Sequence, residues 1–250
     1  VLVGSTITAT TGGLLPTERR SVGISLVDAI TSNGSNPNAR IDSTRINVED
    51  APDTSYPTST INSGIGAQLM MGELDIVNGS RITAANVGAV LWGAANGTGR
   101  IRLNVDNSTL QAGRGAAIRV NPASDNTYDN TVANGAQLSG GDVNLLLVGR
   151  DTGVVNTRTD VNFNVDNARL AGNVTYDPTN APTAQVNVFL RNKAQIDGRF
   201  TNVTTADIGS DSTWLMTGDS NVGALTLGAT GTVPLGNGSK FNTLNVDTFT

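Results

Sequence analysis

Residues 105–110 read Val-Asp-Asn-Ser-Thr-Leu, and this six-residue turn frame recurs along the chain. The frame is a small apolar residue, Asn or Asp, Gly or Asn, Ser or Ala, a polar residue, and a large apolar residue. Close copies are VNGSRI (77–82), ANGAQL (133–138) and VDNARL (165–170), and looser ones are RNKAQI (191–196), GSDSTW (209–214) and GNGSKF (236–241). The closing apolar residues lie 18 to 32 residues apart, at Ile82, Leu110, Leu138, Leu170, Ile196, Trp214 and Phe241. A repeat of this size in a strand-rich chain indicates a solenoid, in which each repeat is one coil.

The runs between the turn frames have the pattern of β-strands. Ile101, Leu103 and Val105 alternate with polar residues, and residues 161–165 do the same, whereas no long stretch keeps a helical apolar period. Asn-Gly between apolar runs is also a hairpin signal, so the same strands could form an antiparallel sandwich or meander. The near-constant repeat favours coils. We therefore predict an all-β fold, a single-stranded right-handed parallel β-helix, with inward residues such as Val105, Leu110 and Ile118 stacked between coils.

Loops recur at one register of the repeat. Eleven residues after Ile41, Ile82, Leu110 and Leu138 a polar loop opens, and after Leu170 a loop comes earlier; the segments are 51–60, 93–99, 121–130, 149–159 and 176–182. Insertions at one register of a solenoid emerge from one corner. We expect these loops to line one long edge of the rod.

The chain divides into three parts on this pattern. Residues 1–40 carry no clear repeat and are predicted to form an irregular N-terminal part or cap. Residues 41–208 are predicted to form the β-helix coils, with 67–69 as a further closing position, and residues 209–250 to form a C-terminal cap. Eight to ten coils at the spacing of paired strands would give a rod of about 45 Å.

Composition limits the classes of function. The 250 residues contain no Cys and no His, and the formal net charge is −5. The basic residues form no stripe, which argues against a nucleic-acid partner. No apolar run is long enough to span a membrane as a helix. The chain starts at Val1 without a signal peptide, and we expect it to be an excised or processed fragment.

No catalytic, cofactor-binding or metal-ligating residue is predicted, and no cofactor is expected. The acidic groupings Glu49-Asp50 and Asp125/Asp129 are the closest to the carboxylate pair of a glycosidase, but we interpret them as solvated loop charge. Gly140-Gly141-Asp142 is similar to one fragment of a calcium-binding repeat without tandem copies. The Gly113-Arg114-Gly115 cluster is interpreted as a coil turn, and Trp92 as a partly buried corner aromatic with ligand stacking as the alternative. The sequons at Asn78 and Asn107 lie inside turn frames and are interpreted as structural.

The C-terminal segment carries a longer motif. Residues 212–248 read STWLMTGDSNVGALTLGATGTVPLGNGSKFNTLNVDT. The order Trp-x-Met-Thr-Gly-Asp-Ser-x-Val-Gly-x-Leu-x-Leu (214–227), followed by Phe-x-Thr-Leu-x-Val (241–246), resembles the end of pertactin-like autotransporter passenger domains. In that family this autochaperone region closes a right-handed parallel β-helix before an outer-membrane barrel, and no barrel sequence follows Thr250 here.

The resemblance implies a function in display rather than catalysis. It implies a type V secretion passenger, exported through the periplasm and outer membrane to the bacterial cell surface, where it acts in adhesion, virulence, cell aggregation or biofilm formation. The implied partners are a host cell-surface protein or glycan, an identical passenger on another cell, and the chain's own C-terminal barrel. The alternatives are a β-helix enzyme acting on polysaccharide and a passive stalk.

Overall fold

The computed structural model describes residues 1–9, 21–26, 38–49, 63–93, 99–123, 125–150, 153–236, 238 and 240–250. Within these residues the protein contains 25 β-strands and no helix. Every pairing between two of these strands is parallel. The strands form three faces, which we name A, B and C.

Face A is a ten-stranded sheet. Its strands are β1 (Leu2–Val3), β4 (Asn38–Asp42), β7 (Gly72–Val77), β10 (Arg100–Asp106), β13 (Thr127–Ala133), β16 (Thr159–Asp166), β19 (Ala184–Arg191), β22 (Val203–Ile208), β24 (Ser220–Leu227) and β25 (Leu244–Phe249).

Face B consists of a five-stranded sheet and a three-stranded sheet. The first contains β2 (Thr6–Ala9), β5 (Arg45–Val48), β8 (Arg81–Ala84), β11 (Thr109–Ala112) and β14 (Gln137–Ser139), and the second contains β17 (Arg169–Ala171), β20 (Gln195–Gly198) and β23 (Thr213–Met216). Face C is a seven-stranded sheet of β3 (Val22–Leu26), β6 (Ile65–Leu69), β9 (Val87–Trp92), β12 (Ile118–Asn121), β15 (Asn144–Val148), β18 (Asn173–Tyr176) and β21 (Phe200–Thr201).

The chain passes from face A to face B to face C and then returns to face A one level further along. Strand β10 on face A, for example, pairs with β7 of the coil before and with β13 of the coil after. The predicted all-β parallel β-helix is therefore confirmed, and the antiparallel alternative is wrong. The right-handed sense remains the prediction, because crossovers between parallel strands of one sheet are right-handed in nearly all proteins.

Stacked apolar side chains fill the interior. The residues that close the turn frames pair directly between coils on face B, in the columns Ile46–Ile82–Leu110–Leu138 and Leu170–Ile196–Trp214. All of them are buried, and so are Val105 and Ile118 on the other two faces. Each coil thus completes the apolar surroundings of its neighbours, which is the stabilising interaction of a solenoid.

The turn frames work because asparagine tolerates a left-handed backbone. Asn78, Asn107 and Asn134 have φ values of 55°, 45° and 53°, a region that most residues other than Gly enter at a cost. The small residue that follows points inward. These inward residues are hydrogen-bonded from coil to coil. Thr44 donates its backbone N–H to Ser80 Oγ over 3.1 Å, and Ser80 donates its backbone N–H to Ser108 Oγ over 3.1 Å. In the two sequons the serines Ser80 and Ser108 are thus buried parts of the turns, while Asn78 and Asn107 themselves are exposed.

Side-chain amides bridge the same turns from coil to coil. Asn78 Nδ2 donates to Asp42 over 2.9 Å, and the same bond recurs from Asn134 to Asp106 and from Asn192 to Asp166. The hydrogen bond from Asn78 is the main cause that lowers the pKa of Asp42. These side-chain bonds between coils therefore alternate Asn with Asp.

Three expected positions are wrong. Phe241 does not close a turn frame, because its side chain is 76% exposed. The level of face B that follows Trp214 is formed instead by Thr232, through an isolated bridge to Thr213. Ile41 lies on face A, where it pairs with Ile76, so the closing residue of that coil is Ile46. Residues 67–69 belong to strand β6 on face C rather than to a closing position on face B.

The N-terminal part has more regular structure than the sequence indicated. In the described portion of residues 1–40, strands β1, β2 and β3 pair in parallel with β4, β5 and β6. These three strands occupy one level of faces A, B and C. They therefore share the strand pairing of the later coils, where an irregular cap was expected.

A glycine on face C tests how tightly the coils pack. A Cβ built on Gly66 would lie 2.5 Å from Ile82 Cγ2 and 2.4 Å from the Gly88 carbonyl oxygen. Gly66→Ala should lower the free energy of unfolding by about 1–3 kcal/mol, because overpacking forces neighbours to shift. The matched control is Gly218→Ala, whose Cβ would meet Arg199 Cδ at an ordinary 3.4 Å. Urea unfolding checks both, and an equal effect at the two positions would contradict this packing.

Candidate binding surface at the loop corner

Loops of four successive coils leave the rod at the corner between faces C and A. They join β9 to β10, β12 to β13, β15 to β16, and β18 to β19. We name their described residues the corner ridge: 93, 99, 122–123, 125–126, 149–150, 153–158 and 177–183. The predicted common edge is confirmed for these four loops. The loop at 121–130 is shorter than expected, because Thr127–Ala133 form strand β13.

The fifth expected loop does not belong to this edge. Residues 51–60 lie outside the described residues, and the strands on either side of them are β5 on face B and β6 on face C. The segment therefore connects faces B and C, not C and A. The expected register was wrong here because the extra residues of this coil come before its face C strand, β6, rather than after it.

Arg150 ties neighbouring loops of the corner ridge together. Its Nη1 donates to the Pro122 carbonyl over 2.6 Å, one coil back, and its Nε donates to the Gly153 carbonyl over 2.9 Å in its own loop. Its own carbonyl accepts from Asn180 Nδ2 over 2.9 Å, one coil forward. A single residue thus connects three coils.

Further bonds join the two longer loops. The backbone N–H of Val155 donates to the Asn180 carbonyl over 2.9 Å, and Thr183 Oγ1 donates to the Thr157 carbonyl over 2.8 Å. Asp177 caps its own turn by accepting from the backbone N–H and hydroxyl of Thr179, and these bonds lower the pKa of Asp177. The loops therefore form one connected surface rather than independent projections.

Two buried tyrosines of the core make hydrogen bonds to the loops of the corner ridge. Tyr128 faces inward from face A, and its hydroxyl oxygen accepts the backbone N–H of Ala123 over 3.2 Å. Desolvation by burial raises the pKa of Tyr128 to about 12. Tyr176 donates its hydroxyl to the Ala181 carbonyl. Sequence analysis did not single out these residues, although each is an inward aromatic beside a loop with an otherwise unmatched polar tip.

The outward side of the ridge is polar with one apolar projection. Exposed residues are Asp125, Gly153, Val154, Asn156, Thr157, Arg158, Asp177, Pro178, Thr179 and Pro182. Val154 is the most apolar of them and is 60% exposed. Short polar side chains on anchored loops suit recognition of another surface by many weak contacts.

Two of the four candidate carboxylates, those of Glu49 and Asp129, make structural contacts. Glu49 accepts from Asn47 Nδ2 over 3.1 Å, and Asp50 lies outside the described residues. Asp125 stands exposed at a left-handed position of the ridge, with φ 52°. Asp129 points outward from face A, where Arg100 and Asn162 both donate to it. Among the three that the structure describes, Glu49, Asp125 and Asp129, no contact pairs two carboxylates across a shared cleft.

The glycine clusters are turns between faces B and C. Gly140 and Gly113 each lie against backbone, since a Cβ would approach Asn144 O to 2.2 Å and Ala85 O to 2.8 Å, respectively. Asp142 Oδ1 accepts the backbone N–H of Asn144 over 2.9 Å, which is an Asx turn. In the part of the chain that the structure describes, no three acidic side chains converge to hold a metal ion.

Trp92 is half-buried at the end of β9, beside the corner ridge. It packs on a small cluster of Ile65, Val87 and Val90 and pairs in register with Asn121. This is the partly buried corner position that the sequence indicated.

Comparison of the chain with protein-family models, with curated proteins and with solved structures finds no match. A search of the described residues also finds no helix with the length and apolar character needed to cross a membrane.

The Arg150 bridge gives a direct test of the connected ridge. Arg150→Met should speed backbone hydrogen exchange in residues 153–158 several-fold, since the bonds to Pro122 and Gly153 are lost. Arg158→Met is the matched control, because Arg158 is 75% exposed and its bonds go to Asp160 within the same coil. Equal exchange in the two variants would mean that the loops are held by their ends alone.

Proposed function

We propose that the chain is the surface-displayed passenger fragment of a bacterial type V autotransporter, acting in adhesion or in cell–cell aggregation and biofilm formation. Its partner would be a host cell-surface protein or glycan, or an identical rod on another cell. Its site of action would be the outside of the cell, after export through the periplasm and outer membrane. A barrel at the C-terminal side would hold it there.

The corner ridge is the observation that carries this proposal. Four coils present loops at one corner, and Arg150, Asn180 and Thr183 bond those loops across coil boundaries. Contacts that are weak one at a time become strong when a rigid support presents them together, because the later contacts form at a high effective concentration. A rod of ten levels on face A, about 45 Å long, is such a support.

The C-terminal segment supports the same proposal. The residues that resemble an autochaperone region form β23, β24 and β25, the last levels of the rod. Trp214 is fully buried there, stacks on Phe200 with ring centroids 4.0 Å apart, and donates Nε1–H to the Gly198 carbonyl over 3.0 Å. A large buried stack at one end is suited to start winding of the chain.

Adhesion should depend on the corner ridge. In cells that display the full protein, changing Val154, Asn156 and Arg158 together to Ser should reduce host-cell binding or autoaggregation about tenfold, the scale of lost avidity. The matched control changes Gln137, Arg169 and Ala171, which are exposed on face B, to Ser.

The outcomes separate three functions. If only the ridge variant loses host-cell binding or autoaggregation, adhesion through the corner ridge is supported. If binding is unchanged in both variants, the rod is a passive stalk and the proposal of adhesion through the ridge is wrong. Release of reducing sugar from a polysaccharide panel, abolished by a single Asp or Glu substitution, would make the protein an enzyme and overturn the proposal.

The terminal stack should act as a folding nucleus. Trp214→Ala should lower the free energy of unfolding by about 3–5 kcal/mol and slow refolding. Phe241→Ala is the matched control, because this aromatic residue is 76% exposed and should be near neutral. Stopped-flow refolding measures both; if Trp214→Ala changes only the unfolding rate, the stack forms after the rate-limiting step and the nucleus is elsewhere.

A further inference from the structure

Two arginines stand side by side on the outer surface of face B. Arg45 of β5 and Arg81 of β8 are directly paired in the parallel register, and both are exposed. Neighbouring strands are about 4.8 Å apart, so the two side chains leave the sheet from adjacent positions. Like charges in such a pair destabilise a sheet. The chain as a whole is acidic, which makes two adjacent cations more notable.

The pair borders a shallow depression. Its lining residues are Arg45, Ile46, Asn47, Arg81 and Thr83, and its volume is about 390 Å³. That volume lies in the range of small-molecule sites, about 300–1,000 Å³. The two guanidinium groups can only donate hydrogen bonds. Asn47 donates its side-chain Nδ2–H to Glu49 Oε1, which leaves the side-chain Oδ1 of Asn47 as an acceptor at the rim.

Arg81 is held in place before any ligand binds. Its Nε donates to Thr83 Oγ1 over 3.2 Å, and its Nη2 donates to Gln111 Oε1 over 2.8 Å. Its Nη1 makes no further hydrogen bond to the residues that the structure describes. Arg45 makes no ion pair or side-chain hydrogen bond within the described residues. Glu49 directly follows β5 and lies four residues from Arg45, or about 13 Å along the extended chain, so its carboxylate does not form an ion pair with Arg45.

We propose that this depression binds an acidic sugar, whose carboxylate or sulfate ester sits between Arg45 and Arg81. One compact oxyanion can bond to two guanidinium groups one strand apart, and charge-assisted bonds of this kind are the strong ones. Sugar hydroxyls then hydrogen-bond to Asn47 Oδ1 and to the Thr83 hydroxyl. A nucleic acid would need a longer basic track than two residues. This site lies on face B and is independent of the corner ridge on which the proposed function rests.

Titration calorimetry on the whole chain at low salt tests the site. The probes are a sulfated galactan tetrasaccharide, which carries sulfate esters and no carboxylate, an unsulfated galacturonate tetrasaccharide, and neutral cellotetraose as the blank. At least one acidic probe should bind saturably, and Arg45→Gln and Arg81→Gln should each weaken that binding tenfold or more. Arg169→Gln is the matched control, because Arg169 is exposed on face B and donates to Gln195 much as Arg81 donates to Gln111.

The two acidic probes distinguish sulfate ester from carboxylate as the bound group, and binding of either supports the site. Three results would overturn the site: saturable binding of neither acidic probe, binding of cellotetraose with the same affinity, or an equal loss of affinity in Arg169→Gln. The urea midpoint of ligand-free Arg45→Gln adds a second readout. It should stay unchanged or rise, because a like-charge contact is removed. A clear fall would mean that the pair is structural and would also overturn the proposal, whatever the adhesion assay shows.

Discussion

The in-register stacking of inward side chains between parallel coils is the constraint on which the whole structure depends. A strand of one coil has no partner strand within that coil, so its hydrogen bonds and its apolar contacts both come from the levels above and below. Leu110, for example, is buried because Ile82 and Leu138 lie directly on either side of it. A change of register by one residue would turn such a column from the core to the surface. The chain therefore needs turns that place every strand at the same height and phase as its predecessor.

The corners meet this requirement in different ways, and the difference bears on function. Between faces A and B the turn is short, with a left-handed Asn and a small inward residue such as Ser80 or Ser108, and it is nearly constant from coil to coil. Between faces C and A the length varies, yet the strands on either side keep their register. Most of the length variation along the later coils thus lies at a corner where it does not disturb the core, whereas between β5 and β6 the added residues join faces B and C. That corner is where a rigid rod can carry a changeable recognition surface, which is the physical basis of the adhesion we propose.

The sequence predicted the coil, the turn frame and the loop corner because all three repeat. The alternation around Val105 and the Asn at position 107 belong to patterns with several copies, and errors in one copy are corrected by the others. Features that occur only once in the chain were predicted poorly. Phe241 matched the frame in its letters but is exposed, since Thr232 takes the next level on face B. The Arg45–Arg81 pair could not be predicted, because an insertion between the two coils hides that the arginines occupy the same register. Tyr128 was missed for a similar reason: its role depends on a loop carbonyl and amide that only the folded coil brings near.

Paired cysteines test the in-register stacking most directly, since the chain has no cysteine of its own. Thr83, Gln111 and Ser139 occupy one outward column of face B on three successive coils. Adjacent levels are about 4.8 Å apart and levels two apart are about 10 Å apart, whereas a disulfide needs Cα atoms about 4.4–6.8 Å apart. Under mild oxidation, the pairs 83/111 and 111/139 should cross-link nearly completely without loss of stability, and the pair 83/139 should not. Cross-linking of 83/139 with no reaction of the adjacent pairs would contradict the wound parallel arrangement.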